Sequence, residues 1–178
     1  FLRPALAYGG LGRSIAGRLG VAGGHRWFQI TKGEFSLAGE TRLSADIPLA
    51  GASGSAVSLS TLAGPWLGPV GLRIGPILRY ERASYEDAIL DPALLAGGRG
   101  ILSVEVGSFY PYIGAGLDTI IAGQRPGDLE PIALLGLARE RGWVRLSGQG
   151  SFQQTAQGLR WEVGLGINLT PNLSTEDQ

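Results

Sequence analysis

A chain of 178 residues with 15 basic and 15 acidic side chains has no formal net charge, so nothing steers it toward nucleic acid. Its length suits one domain, and with no Cys and a single His it cannot build a disulfide framework, a thiolate site or a His-based metal cluster. The 30 Gly exceed the usual share of about 7%, but 44% of residues are hydrophobic and no collagen-like triplet occurs, which points to a sheet protein rather than a disordered one.

The basic residues are all Arg except Lys32. Arg beside Glu or Asp suits confined ion pairs, because its planar fork meets a carboxylate at two points. With no Met at the start and no charged leader before an apolar run, the chain reads as a mature or trimmed product.

About ten segments read as strands. The first, Leu2 to Tyr8, groups Leu2, Leu6 and Tyr8; the second, about Ser14 to Gly23, groups Ile15, Leu19 and Val21 opposite Arg18. The apolar phase switches between them, so a turn falls near Gly9–Gly12. The third sets Phe35, Leu37, Thr41, Leu43, Ala45, Ile47 and Leu49 against Ser36, Glu40, Arg42, Ser44 and Asp46. In the fourth, about Ser55 to Leu62, Val57, Leu59 and Thr61 oppose Ser58 and Ser60. The fifth, Gly68 to Arg82, sets Val70, Leu72, Ile74, Leu78 and Tyr80 against Arg73, Arg79 and Glu81.

The span from Ile47 to Leu72 carries no charge, which is long enough to suggest a membrane helix. Pro48, Pro65 and Pro69, with Gly and Ser through the middle, fit turns between strands instead.

After a long connection, the sixth segment (Gly100 to Ser108) sets Leu102, Val104 and Val106 against Ser103 and Glu105. A turn at Ser108–Pro111 leads to the seventh, with Ile113, Ala115, Leu117 and Thr119 opposite Gly114, Gly116 and Asp118. The eighth, Pro131 to Arg139, is apolar on both faces. The ninth, Trp143 to Gln153, sets Val144, Leu146 and Phe152 against Arg145, Ser147, Gln149, Ser151 and Gln153. The tenth, Gly158 to Leu169, is the clearest: Leu159, Trp161, Val163, Leu165, Ile167 and Leu169 oppose Arg160, Glu162, Gly164, Gly166 and Asn168. Residues 170–178 are polar and acidic and read as a disordered tail after a single barrel domain over 1–169.

Alternation on this scale implies an all-β, closed, antiparallel up-and-down barrel of about ten strands, or eight if the first two segments serve as an arm or plug. Which face is inside separates a membrane barrel from a soluble lipocalin-like binder. Small residues and charges on the polar face (Arg42 with Glu40 and Asp46, Arg73, Arg79 with Glu81, Glu105, Asp118, Arg145, Arg160 with Glu162) suit a narrow lumen where charges neutralise one another. A soluble exterior should carry more than 17% charged residues. The apolar face is long enough to cross a bilayer, which takes roughly 9–11 residues of tilted strand. Aromatics gather near strand ends, with Trp66, Phe109, Tyr110, Tyr112 and Trp143 at one set and Tyr80, Tyr85, Phe152 and Trp161 at the other, as interfacial girdles require. Short links at Ala63–Pro69, Ser108–Pro111 and Glu140–Gly142 alternate with longer ones at Ala83–Gly98 and Ala122–Glu130, as periplasmic turns alternate with external loops.

Tyr110-Pro-Tyr-Ile-Gly-Ala-Gly-Leu117 resembles the strand opening common in small Gram-negative outer-membrane barrels of the opacity-type and OmpA-like group, and Glu162–Leu169 resembles their closing strand. The resemblance implies a transmembrane barrel in the outer membrane but no activity. The group usually ends on an aromatic residue; here the strand ends on Leu169 and a tail follows.

No constellation for catalysis emerges. A triad would need His25, which reads as a structural or surface histidine. Glu86–Asp91 reads as a solvated loop rather than a cation site, and Gly9–Gly12 and Gly97–Gly100 lack the following helix and Lys-Ser/Thr pair of a phosphate cradle. The expectation is therefore a non-enzymatic outer-membrane barrel without cofactor or metal. Its charge-paired lumen serves a structural, partner-binding or narrow porin-like role, with transport of a small or apolar solute as the alternative. The expected partners are the lipid bilayer and, through loops or periplasmic ends, other envelope proteins.

Overall fold

The computed structural model describes residues 2–11, 14–50, 52–85, 88–123, 125–141, 144–155 and 158–169; the tail and Trp143 lie outside them. Its strands are β1 (Leu2–Leu11), β2 (Ser14–Lys32), β3 (Phe35–Ala50), β4 (Ala52–Leu67), β5 (Val70–Tyr85), β6 (Ala88–Val104), β7 (Phe109–Ala122), β8 (Leu129–Arg141), β9 (Val144–Thr155) and β10 (Gly158–Leu169). Each pairs antiparallel with its sequence neighbours, and β10 closes on β1 with Leu2 opposite Leu169. Ten strands, not eight, make the wall, because the first two segments are full members of it.

Both chain ends of the barrel therefore lie at one rim, here termed proximal. The same rim carries the tight turns after β2, β4 and β6, where Gly33, Gly68 and Gly107 adopt φ of 62°, 54° and 61°. That left-handed conformation costs a side chain bearing Cβ and is free for glycine, so the three turns are glycine-dependent.

The barrel is inside-out relative to a soluble protein. Leu165 is 68% and Ile113 61% exposed on the outside, whereas Asp118 is 1% and Arg160 4% exposed within. Leu19, Val21, Leu43, Ile47, Leu72, Leu78, Leu135 and Val163 continue the outer apolar face around the wall. So continuous an apolar exterior is stable against lipid and not against water. The lipocalin-like alternative is thereby overturned, since it needs the apolar face inward. The charge-free span Ile47–Leu72 lies in β3, β4, β5 and their links.

Several boundaries differ from the sequence expectation. β1 runs to Leu11, through most of the turn expected at Gly9–Gly12, and β4 spans Ala52–Leu67, so the link expected at Ala63–Pro69 shrinks to Gly68–Pro69. β6 begins at Ala88, and Ala83, Ser84 and Tyr85 pair with Leu90, Ile89 and Ala88. The long connection expected at Ala83–Gly98 is therefore mostly strand, and the contrast of loop lengths fails there. Leu95 and Arg99 face inward among glycines and alanines, so no apolar stripe marks this stretch. The turn expected at Ser108–Pro111 falls at Glu105–Ser108, with Phe109–Pro111 already in β7. Finally, β2 runs on to Lys32 through a bulge: Arg26 pairs with Glu40 and Phe28 with Gly39, so Trp27 is the extra residue. A bulge shifts the two-residue alternation by one, which hides the second half of β2 from a periodicity reading.

The apolar double face of β8 also has a structural reason. Its inner side buries Ile132 and Ala138, and Leu134 and Ile101, paired on either side of Gly114, both reach toward the space above that glycine. One sector of the lumen is thus hydrocarbon rather than charged.

Candidate functional site: a charge-paired lumen

Residues of one parity along each strand place Arg and acid side chains inside the wall, and the structure sorts them into two groups. Toward the distal rim, Glu81 is the hub. Arg160 Nη1 donates to its two carboxylate oxygens at 3.1 and 3.0 Å, and Arg79 Nη2 stands 2.9 Å away. Glu81 belongs to β5 and Arg160 to β10, which lie on opposite walls of the ring. Their ion pair therefore crosses the bore. Arg99 grips Asp118 at two points, both 2.6 Å, Gln153 donates to Glu130 at 2.7 Å, and Arg18 lies 3.8 Å from Glu162.

Nearer the proximal rim the contacts are looser. Arg73 lies 3.8 Å from Glu40, and Arg145 lies 3.9 Å from Glu140 and 5.1 Å over the ring of Tyr110. Tyr112 donates to Gln149 Oε1 at 3.0 Å, and Trp66 meets Tyr110 edge-on at 6.4 Å. Glu105 lines the same mouth.

The pairings depart from the sequence expectation in two places. Arg160 bonds Glu81 rather than Glu162, whose cation is Arg18. Arg42 forms an ion pair with neither Glu40 nor Asp46, and Glu40 turns to Arg73. Residues two apart on a strand are separated by nearly 7 Å of backbone, so a partner on another wall competes well with one on the same strand. The pair Arg79–Glu81 is formed as expected. Arg18, Arg99 and Glu130 were not among the expected lumen charges, although alternation puts Arg18 and the neutral Gln153 on the polar faces of their strands. Arg99 was hidden in Gly97-Gly-Arg-Gly100, which reads as a turn but lies inside β6.

Among the expected interface aromatics, Tyr80, Phe109 and Phe152 are exposed on the outer face and Trp161 is half-buried opposite Phe152. Trp66, Tyr110 and Tyr112 are lumenal, a correction: each shares its strand parity with inward groups such as Ser60 and Asp118. The bulge supplies replacements. It turns both Trp27 and Phe28 outward at the proximal end, with their rings 4.5 Å apart. Trp66 also lies where a Cβ on Gly71 would stand. Gly71→Val is therefore expected to lower stability by about 1–3 kcal/mol, read as a lower urea midpoint.

No family model matches the chain, and no curated protein matches its sequence. Solved structures do match. The chain is similar to the β domain of the Bordetella autotransporter BrkA, with a TM-score of 0.54 and 10% identity over 96% of this chain and 98% of that one. The NanC porin aligns with a TM-score of 0.49 and 10% identity over 96% of this chain and 100% of that one. The first likeness, the closed ten-strand ring and the apolar exterior agree: the chain has the transmembrane up-and-down fold of outer-membrane β-barrels.

Proposed function

We infer that this chain resides in the bacterial outer membrane as a barrel whose lumen is closed by ion pairs. It serves a structural or partner-binding role, with no more than a narrow porin-like path. The observation that carries the reading is the Glu81–Arg160 pair, which spans opposite walls with both groups buried, 6% and 4% exposed. Ten strands leave little bore, and a paired charge bridge occupies part of it.

In planar bilayers, the folded protein is expected to give little or no conductance, and a Glu81→Ala/Arg160→Ala variant to give discrete steps. Large open steps from the unaltered protein would overturn the closed-lumen reading. Membrane residence is checked separately, by heat-modifiable migration in detergent gels and by fractionation with the outer membrane.

A second reading, passage of a small or apolar solute, draws on the hydrocarbon sector formed by Ile101, Leu134 and Ile132. Kinship with the opacity-type and OmpA-like group is proposed on Tyr110–Leu117 and Glu162–Leu169 alone. Lipid and other envelope proteins are the proposed partners, the latter at the rims. We assign no enzymatic role: the single histidine, His25, is exposed on β2, and His25→Ala should leave folding and conductance unchanged.

A further inference from the structure

The proximal mouth of the lumen holds a cavity of about 220 Å³. Three guanidinium groups reach it, from Arg26, Arg73 and Arg145, against two carboxylates, Glu40 and Glu105. These cations are loosely held. Arg73 and Arg145 stand 3.8 and 3.9 Å from their acids, beyond hydrogen-bond length. Arg26 donates to the neutral amide oxygen of Gln29 at 2.8 Å. The distal pair Arg99–Asp118, by contrast, closes to 2.6 Å at both contacts. Arg73 Nε is moreover buried without a hydrogen-bond partner. A buried N–H in that state leaves Arg73 less firmly held than a fully paired guanidinium. The facing wall is apolar: Trp66, Tyr110 and Leu62.

We propose that this vestibule binds a small organic monocarboxylate. Its two oxygens meet the terminal Nη1 and Nη2 groups of Arg73 in the two-point geometry that guanidinium and carboxylate share. Arg26 and Arg145 add charge, and the body of the ligand lies against Trp66 and Tyr110. With Glu140, the acid beside Arg145, and Arg42, which feels the charge of Glu40 as Arg73 does, counted in, four cations stand against three acids and leave one positive charge for one negative ligand. The aromatic wall favours a planar or apolar body over a fully hydrated anion. The proposal deepens the reading of the lumen as a closed, charge-lined path. Binding at the mouth does not require conduction, so the two fail separately: bilayer current tests closure, and equilibrium binding tests the vestibule.

The test is fluorine NMR of 4-fluorobenzoate titrated with the detergent-folded full chain, with 4-fluorobenzamide as the neutral isostere. Saturable binding of the carboxylate is expected, with none of the amide. Loss of a charge-assisted contact in Arg73→Gln should weaken it by about tenfold or more. Arg139→Gln, whose side chain lies over Phe109 on the outer face, should leave it unchanged. No saturable signal, equal binding of the amide, or full affinity in a folded Arg73→Gln protein would overturn the site. If Arg73→Gln does not fold, Arg26→Gln, exposed at the rim, decides: weakened binding supports the site and unchanged binding removes it. Inorganic phosphate competing as well as the carboxylate would overturn the ligand class.

Discussion

Glu81→Ala is expected to lower the stability of the folded barrel by about 3–5 kcal/mol, because it strips the acid from a buried group and leaves cations uncompensated. Two guanidinium groups share it, Arg160 at 3.0 Å and Arg79 at 2.9 Å, so removing Glu81 disturbs more than one charge contact. Arg160→Ala should cost less, since Arg79 still neutralises Glu81. The sign reverses when the whole group is removed. A combined Arg79→Met, Glu81→Leu and Arg160→Met variant is expected to regain most of the stability, because well-packed apolar side chains often replace a buried ion-pair group at little or no cost. Urea unfolding of protein folded into lipid vesicles measures all of these. A triple variant as unstable as Glu81→Ala would mean that shape, not charge, is what the site contributes.

The second large effect belongs to the outer face. Leu135 lies midway along β8 and is 53% exposed, whereas Leu129 begins the strand at the distal rim and is 63% exposed. By exposure alone the two are alike. In a bilayer they are not: an Arg on the lipid face costs about 2–4 kcal/mol at the midplane and about 0–1 near the interface. Leu135→Arg is therefore expected to destabilise strongly and Leu129→Arg scarcely at all, in the same vesicle unfolding assay. A water-facing exterior would give small, equal effects for both, so the difference between the two variants reads out the depth of the lipid directly.

The wall of the barrel was largely legible because its signal is local. Along β10, Leu159, Val163, Leu165 and Ile167 point one way and Arg160 and Glu162 the other, and a two-residue period states this without knowledge of any neighbour. Legibility ended where alternation was interrupted or masked. The extra residue at Trp27 reversed the phase within β2, and the small residues around Arg99 left β6 without a stripe. Inside the lumen, membership was readable but partnership was not. That Arg160 faces inward follows from parity; that it meets Glu81, 79 residues away, follows only from the closed ring. The three lumenal aromatics were legible by the same parity, since Tyr110 and Tyr112 share it with Asp118 and Trp66 with Ser60. Their place near strand ends, where girdle residues also lie, masked a signal the alternation already carried.

The cross-lumen pair bears on how the barrel is made. Glu81 is synthesised well before Arg160, which arrives with the last strand. Until β10 docks, Glu81 keeps only Arg79, on its own strand, and the far-wall half of the charge group is missing. Sealing the β1–β10 seam and completing that group thus become one step. That step also proofreads the seam, because a slip of one residue turns every side chain of β10 to the other face. Arg160 would then point into lipid, and Leu159 or Trp161 would sit beside an acid with no cation across the bore.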